Sequence, residues 1–248
     1  MIFYEKIIGE TPLEMLDRLR IEKPEFKSSK LSYAGRLDPM AYGEMLVLVD
    51  EENKEYKKYL GYDKKYQATF LLGISTDSGD VLGLIKESSI SININSFDRE
   101  LINRTEIKKQ ILDFKKITRQ KYPWFSSMVV DGLKLFDHFK KGNLSIERPE
   151  RDVQIKEIEN IKLRKIPQQD LRDYIFENVS KVKGNFRQKE TLDGWDNFFS
   201  EGPAKYFSNF ITVKIDITVT SGTYIRGLTE NFKKPATLLS LKRLKIIV

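Results

Sequence analysis

The sequence contains no cysteine and a single histidine, His138. Without thiols there is no disulfide, no thiolate nucleophile and no cysteine-held metal, so zinc clusters are excluded. One histidine also rules out a two-histidine metal site. Its setting in an amphipathic helical pattern marks His138 as a surface or hydrogen-bonded core residue. No stretch approaches the ~20 apolar residues that cross a bilayer. Met1-Ile2-Phe3-Tyr4-Glu5-Lys6 has neither a basic leader nor a cleavage site, so a cytoplasmic, membrane-free protein is expected, and a monomer. Internal repeats and low-complexity linkers are also lacking.

What is present is enough for one full core: 248 residues, 40% of them hydrophobic and 11% aromatic,. A net charge of +7 and a pI near 9.2 favour a polyanionic partner,.

Thr11-Pro12-Leu13-Glu14 combines a capping residue, a first-turn proline and a glutamate that can reach back, which predicts a helix burying Leu13, Leu16 and Leu19. From Lys65 to Ile74 the apolar period falls to two, predicting a strand with Tyr66 at its start. A second strand, Ile211 to Val219, alternates fully and is expected to have one buried and one wet face. Ile107, Ile111 and Phe114 mark one helix; Leu135, Phe136 and Phe139 mark another that ends near Gly142. Strands and helices mix without a βαβ rhythm. That predicts an α+β fold, a largely antiparallel mixed sheet flanked by helices, as a single domain over residues 1–248. Residues 162–208, rich in charge, glycine and aromatics, read as an inserted lobe or a long flexible excursion.

Between Gly35 and Gly43, Asp38-Pro39 places one carboxylate on a turn ahead of an apolar strand. Read alone it is an ordinary Asp-Pro turn, because aspartate bonds its own backbone and proline fixes the next dihedral. Further segments follow in order: Lys65-Tyr66-Gln67-Ala68, then Gly73-Ile74-Ser75-Thr76-Asp77-Ser78-Gly79-Asp80. Tyr122-Pro123-Trp124-Phe125-Ser126-Ser127 comes next, then Arg151, Val153 and Ile155, and finally Ser221-Gly222-Thr223-Tyr224-Ile225-Arg226, with Leu238 to Arg243 closing. Together they resemble the TruB family of pseudouridine synthases, which modify the T-loop uridine of tRNA. The resemblance covers nearly the whole chain outside residues 162–208.

The resemblance implies a reaction that breaks the N1 glycosidic bond of uridine, turns the uracil and joins C5 to the same sugar carbon. No redox change occurs and no cofactor or metal is needed. It implies three catalytic residues. Asp38 acts on the sugar C1′ or assists proton removal at C2′, two routes left open. Tyr66 stacks on the uracil, and its hydroxyl can handle the C5 proton. Arg226 is the cation that keeps a partly buried carboxylate ionised; at about 4 Å and an effective dielectric near 20 such a pair attracts by roughly 4 kcal/mol before desolvation. Tyr33, Arg36, Tyr42, Lys65, Tyr224 and Leu241 are implied as substrate-binding residues. Lys64, Lys65, Lys134, Lys140 and Lys141 are candidates for phosphate contacts.

The chain departs from the TruB pattern at Tyr33 and Arg36, where the family carries histidine and threonine. Gly35-Arg36-Leu37-Asp38 is the nucleophile motif of RsuA-like synthases. The same chemistry on rRNA or another RNA is therefore an alternative substrate reading. A non-catalytic RNA-binding or RNA-folding factor on the same scaffold is an alternative of another class. The sequence ends at Val248 without room for the C-terminal PUA RNA-binding domain that many family members append, so the expectation is that the tRNA T arm is gripped by the catalytic domain, helped by residues 162–208.

Overall fold

The computed structural model describes residues 1–88 and 104–248. Its centre is a seven-stranded mixed sheet in the order Ile2–Lys6, Ala41–Val49, Ala236–Ile247, Asp63–Leu72, Asn209–Val219 and Ile155–Pro167, with Leu31–Ala34 paired to the far end of Ala41–Val49. All its pairings are antiparallel except that of Ala236–Ile247 with Ala41–Val49. The expected α+β class, with a largely antiparallel sheet and flanking helices, is what the chain adopts.

Local chemistry explains the elements. Helix Pro12–Glu22 begins with a complete capping box: the Thr11 hydroxyl accepts from the Glu14 amide at 3.3 Å and the Glu14 carboxylate accepts from the Thr11 amide at 2.7 Å,. Its buried face is Met15, Leu16 and Leu19, whereas Leu13 is 64% exposed. The expectation for Leu13 fails because the inward stripe begins one position earlier, at Pro12, leaving Leu13 on the outer side.

The expected strand at 211–219 runs Asn209–Val219, but its polar face is not wet. Thr212, Asp216 and Thr218 are buried with their apolar neighbours because the strand lies between two others. Gln67 and Asn160 donate to Asp216, at 3.1 and 2.7 Å, and the Thr212 hydroxyl donates to the Arg164 carbonyl. Cross-strand polar partners thus replace water. His138 is buried and meets the Val130 carbonyl through Nε2 at 2.9 Å, while its Nδ1 is buried without a hydrogen-bond partner.

Strand Ile155–Pro167 stays paired with Asn209–Val219 up to Pro167 opposite Asn209. Between them stand helices Gln168–Ser180 and Gln188–Ser200, whose Leu171, Ile175, Val179, Trp195, Phe198 and Phe199 join the main core. These two helices thus contribute six buried side chains to the core that they share with the sheet.

The Asp38 turn owes its position to a change of neighbours along Ala41–Val49. Residues 46–49 of that strand pair with Leu31–Ala34, and residues 41–43 pair with Leu241, Lys242 and Arg243 instead. Residues 35–40 must therefore swing out of the sheet. Gly43 permits the junction: its φ is +105°, and a Cβ there would lie 2.2 Å from the Arg243 carbonyl oxygen,. Gly43→Ala is expected to cost more than about 2 kcal/mol, because left-handed strain adds to a backbone clash. Urea denaturation checks this; a loss below half that value would mean the parallel pairing can give way.

Candidate active site

Arg226 opens a short 3-10 turn, Arg226–Asn231, directly after the loop that leaves Asn209–Val219. Its guanidinium is almost wholly enclosed, with 5% of the side chain exposed, and every nitrogen is used. Nε and Nη2 donate to one Asp38 carboxylate oxygen at 3.1 and 2.9 Å. Nη1 donates to the Ser78 carbonyl at 2.6 Å, and Nη2 also reaches the Phe125 carbonyl at 3.1 Å. A second carboxylate, Asp80, stands 3.3 Å from Nε.

These two aspartates share one cation in different surroundings. Burial pushes the Asp80 carboxyl up, against the pull of Arg226,. Burial likewise opposes the charge of Arg226, yet Asp38 and then Asp80 hold its proton above the ordinary arginine range. Asp38 differs from Asp80 in having 37% of its side chain exposed, so its other oxygen stays open to solvent. The arrangement is a fixed carboxylate with an open side, backed by a cation that cannot turn away.

Arg243 holds the other flank. It is 1% exposed; Nη1 and Nη2 donate to the Gly35 and Arg36 carbonyls, both at 3.1 Å, and Nε donates to the Tyr66 hydroxyl at 3.2 Å. Lys6, opposite Gly43 in the neighbouring strand, donates from Nζ to the Ala41, Ile7 and Pro39 carbonyls at 2.7, 3.0 and 3.3 Å. Two buried cations thus pin both ends of the Asp38 turn through its backbone. Lys6 drew no attention in the sequence, and Arg243 entered it only as the last residue of the closing Leu238 to Arg243 segment, with no role given to it.

Of the residues singled out from sequence, Asp38, Arg226 and Tyr224 lie together, and Tyr66 is tied to the Asp38 turn through Arg243. The burial of Tyr224 raises its phenol, as does the nearby negative charge of Asp38. Its ring meets Tyr122 edge to face at 5.8 Å. Leu241 lies in the cross-strand row of Ala41 and Ala68, next to the row of Tyr66 and Arg243, on the same face. Tyr33 is half-buried against the core, and Arg36 is exposed beside Asp38.

Lys65 and Tyr42 are not brought to this group. Lys65 alternates with Tyr66, so it points through the other face and pairs with Glu159,. The lysine on the site's face is Lys64, enclosed by the Leu60 carbonyl at 2.7 Å, the Tyr62 carbonyl and the Ser221 hydroxyl. Tyr42 lies under the Lys242 ammonium, 5.7 Å from its ring centroid, in the row of Gln67 rather than that of Tyr66. Lys134 and Lys140 flank the Phe136 ring at 5.8 and 5.0 Å.

Burial pushes the Lys6 ammonium down from 10.5 to about 8, although Glu10 and Asp38 work in the opposite direction. Between those values the unfolded chain keeps a proton that the folded chain has released, so folding gains as pH rises through that window. The stability of the native protein relative to Lys6→Met is therefore expected to rise from pH 8 toward 10 in urea denaturation. A difference that stays flat would show that Lys6 keeps its proton.

Residues 23–182 match the model of the TruB family pseudouridylate synthase (N terminal domain). That span includes Asp38, Tyr66 and Asp80 and stops short of Arg226 and Arg243. A tRNA pseudouridine synthase B of Endomicrobium trichonymphae is 31% identical over 250 residues, covering 99% of this chain and 84% of its own. One from Psychrobacter arcticus is 32% identical over 174 residues, covering 69% of this chain and 43% of its own. One from Fusobacterium nucleatum is 34% identical over 158 residues, or 64% and 50%. The chain spans about half the length of several curated relatives it matches.

Proposed function

The chain belongs to the TruB family of pseudouridylate synthases, and on that basis we propose that it isomerises uridine to pseudouridine in RNA, at the T-loop uridine, position 55, of tRNA. The observation that carries the reading is the pairing of Asp38 with Arg226: a carboxylate open on one side, held by a buried cation that is itself held by two carbonyls and Asp80. The names of the relatives support tRNA as the substrate.

In this reading the target base leaves its loop, at a cost of a few kcal/mol of unstacking, which aromatic stacking of about 1–3 kcal/mol per base offsets. Tyr66 supplies that stacking surface. Arg243 donates to its hydroxyl oxygen, which leaves the phenolic hydrogen free to turn toward the substrate and to take part in the C5 proton transfer,. Asp38 acts on C1′, or assists proton loss at C2′; Arg226 holds it aimed in either route. After the glycosidic bond breaks, the uracil turns and C5 bonds to C1′, releasing the Asp38 carboxylate from C1′ in the first route or with C2′ regaining its proton in the second. The C5 proton then passes to solvent, and N1 is protonated. Tyr224 and Leu241 wall the base in. The T arm is gripped by lysines and by Arg36 at the mouth of the cleft, so affinity falls steeply with salt.

Incubating the protein with unmodified tRNA transcript, and with rRNA as the competing substrate, followed by chemical mapping of pseudouridine, tests the proposal. Product at the T-loop uridine is expected; product only in rRNA would reassign the substrate, and none in either would overturn the enzyme reading. Asp38→Asn is expected to abolish turnover with RNA affinity nearly intact, and an active variant would refute the role of Asp38. Arg226→Ala is expected to lower the rate at least ~100-fold, since a misaimed reacting group costs that much. A rate near that of the native protein would mean that something else aims the carboxylate.

A further inference from the structure

Arg187 sits at the entry to helix Gln188–Ser200, with a left-handed backbone, φ +62°. That conformation is uncommon for a residue with a Cβ and marks a place where surrounding structure dictates the geometry. Its carbonyl nevertheless accepts the first helical bond, from Thr191 at 2.9 Å. The effect is to send the guanidinium out of the two-helix lobe toward the sheet domain. There Nη1 and Nη2 donate to the two oxygens of Asp77 at 2.8 and 3.1 Å, a fork-to-fork pair with 20% and 7% of the side chains exposed,. The same guanidinium lies over the Phe125 ring, 4.9 Å from its centroid,.

Asp77 and Phe125 are not neighbours in sequence, and they share one property. Phe125 offers its carbonyl to Arg226, and Ser78, the residue after Asp77, offers the other carbonyl. Asp77 is further tied to its own turn, accepting from the Leu84 amide at 2.9 Å through a carboxylate oxygen. The lobe clasps this turn at two more points: the Thr191 hydroxyl donates to the Leu82 carbonyl at 2.9 Å, and the Trp195 indole donates to the Val81 carbonyl at 3.1 Å. One arginine from the lobe thus grips the side chains of the two segments whose backbones hold the arginine of the site.

We infer that Arg187 is a positioning residue for the isomerisation, acting through Asp77 and Phe125 to fix the carbonyl pair that aims Arg226 at Asp38. The inference rests on the proposed reaction and adds the lobe to its machinery. Lysine could replace the charge but not the fork, so it would restore the contact only in part.

The test uses the full chain carrying Arg187→Gln, Arg187→Lys, Asp77→Asn, and Arg187→Gln combined with Asp77→Asn. Turnover and affinity on tRNA transcript are measured together with amide exchange across residues 76–84 and 225–229. Arg187→Gln is expected to lower kcat roughly 10- to 100-fold with the affinity for tRNA within about twofold. Arg187→Lys should recover part of that loss, and the double variant should be no slower than the worse single. Exchange in both segments should quicken, and the urea midpoint should fall further in Arg187→Gln, which leaves the enclosed Asp77 carboxylate unpaired, than in the double variant,. Unchanged kcat in Arg187→Gln, or a loss confined to tRNA affinity, would overturn the inference; the latter would make Arg187 an RNA contact. A native protein that forms no pseudouridine would sink the reaction itself. The exchange data would then decide alone whether Arg187 fixes the two segments, and unchanged exchange would dismiss it.

Discussion

The site hangs on a guanidinium removed from water. Arg226 has no solvent to satisfy it, so each of its donors has to find a protein acceptor, and the acceptors it finds come from three distant stretches of chain: Asp38, the Ser78 to Asp80 turn, and Phe125. Leaving a buried charge unpaired costs several kcal/mol, so each stretch is drawn into register by the same demand. The carboxylate at 38 is held in place as a by-product of solving that problem. Asp80 shares the cation without competing for the cleft, since it is itself enclosed.

Backbone anchoring completes what the ion pair begins. Arg243 and Lys6 hold the turn by its backbone, bonding to the carbonyls at 35, 36, 39 and 41. Side-chain chemistry at the turn is thereby separated from turn geometry. The shape of the turn is thus specified by buried partners elsewhere rather than by the side chains of Tyr33 and Arg36.

Much of this was legible in the sequence. Two-residue periods over 65–74 and 211–219 marked the strands Asp63–Leu72 and Asn209–Val219, the capping box located the first helix, and the family resemblance of the Ser221 to Arg226 segment pointed to Arg226, far along the chain, as the partner of Asp38. What was not legible follows from facing and from burial. Lys65 adjoins Tyr66 in sequence and is therefore on the opposite face of the sheet, while Lys64, which looks the same in composition, is the one turned inward. Tyr42 fails for the same reason. The polar face of Asn209–Val219 reads as solvent-facing until its neighbours are known, because Gln67 and Asn160 come from other strands. Arg243 and Lys6 carry no pattern that separates a buried, carbonyl-binding cation from a surface one. The lobe at 168–206 showed its aromatics but not their destination in the main core.

The strand Ala236–Ile247 lies inside the sheet, between Ala41–Val49 and Asp63–Leu72, although those two are separated by few residues in the chain. During synthesis the ribosome releases both early strands long before their shared partner. A nascent chain that has delivered its first 220 residues holds Asp38 and Tyr66 but neither Arg226 nor Arg243, and lacks the strand that pairs with both early ones. Non-local closure of this kind is slow. The carboxylate thus meets its counter-ion only once the chain has grown past residue 226, and shorter chains carry the loop without the cation that holds it.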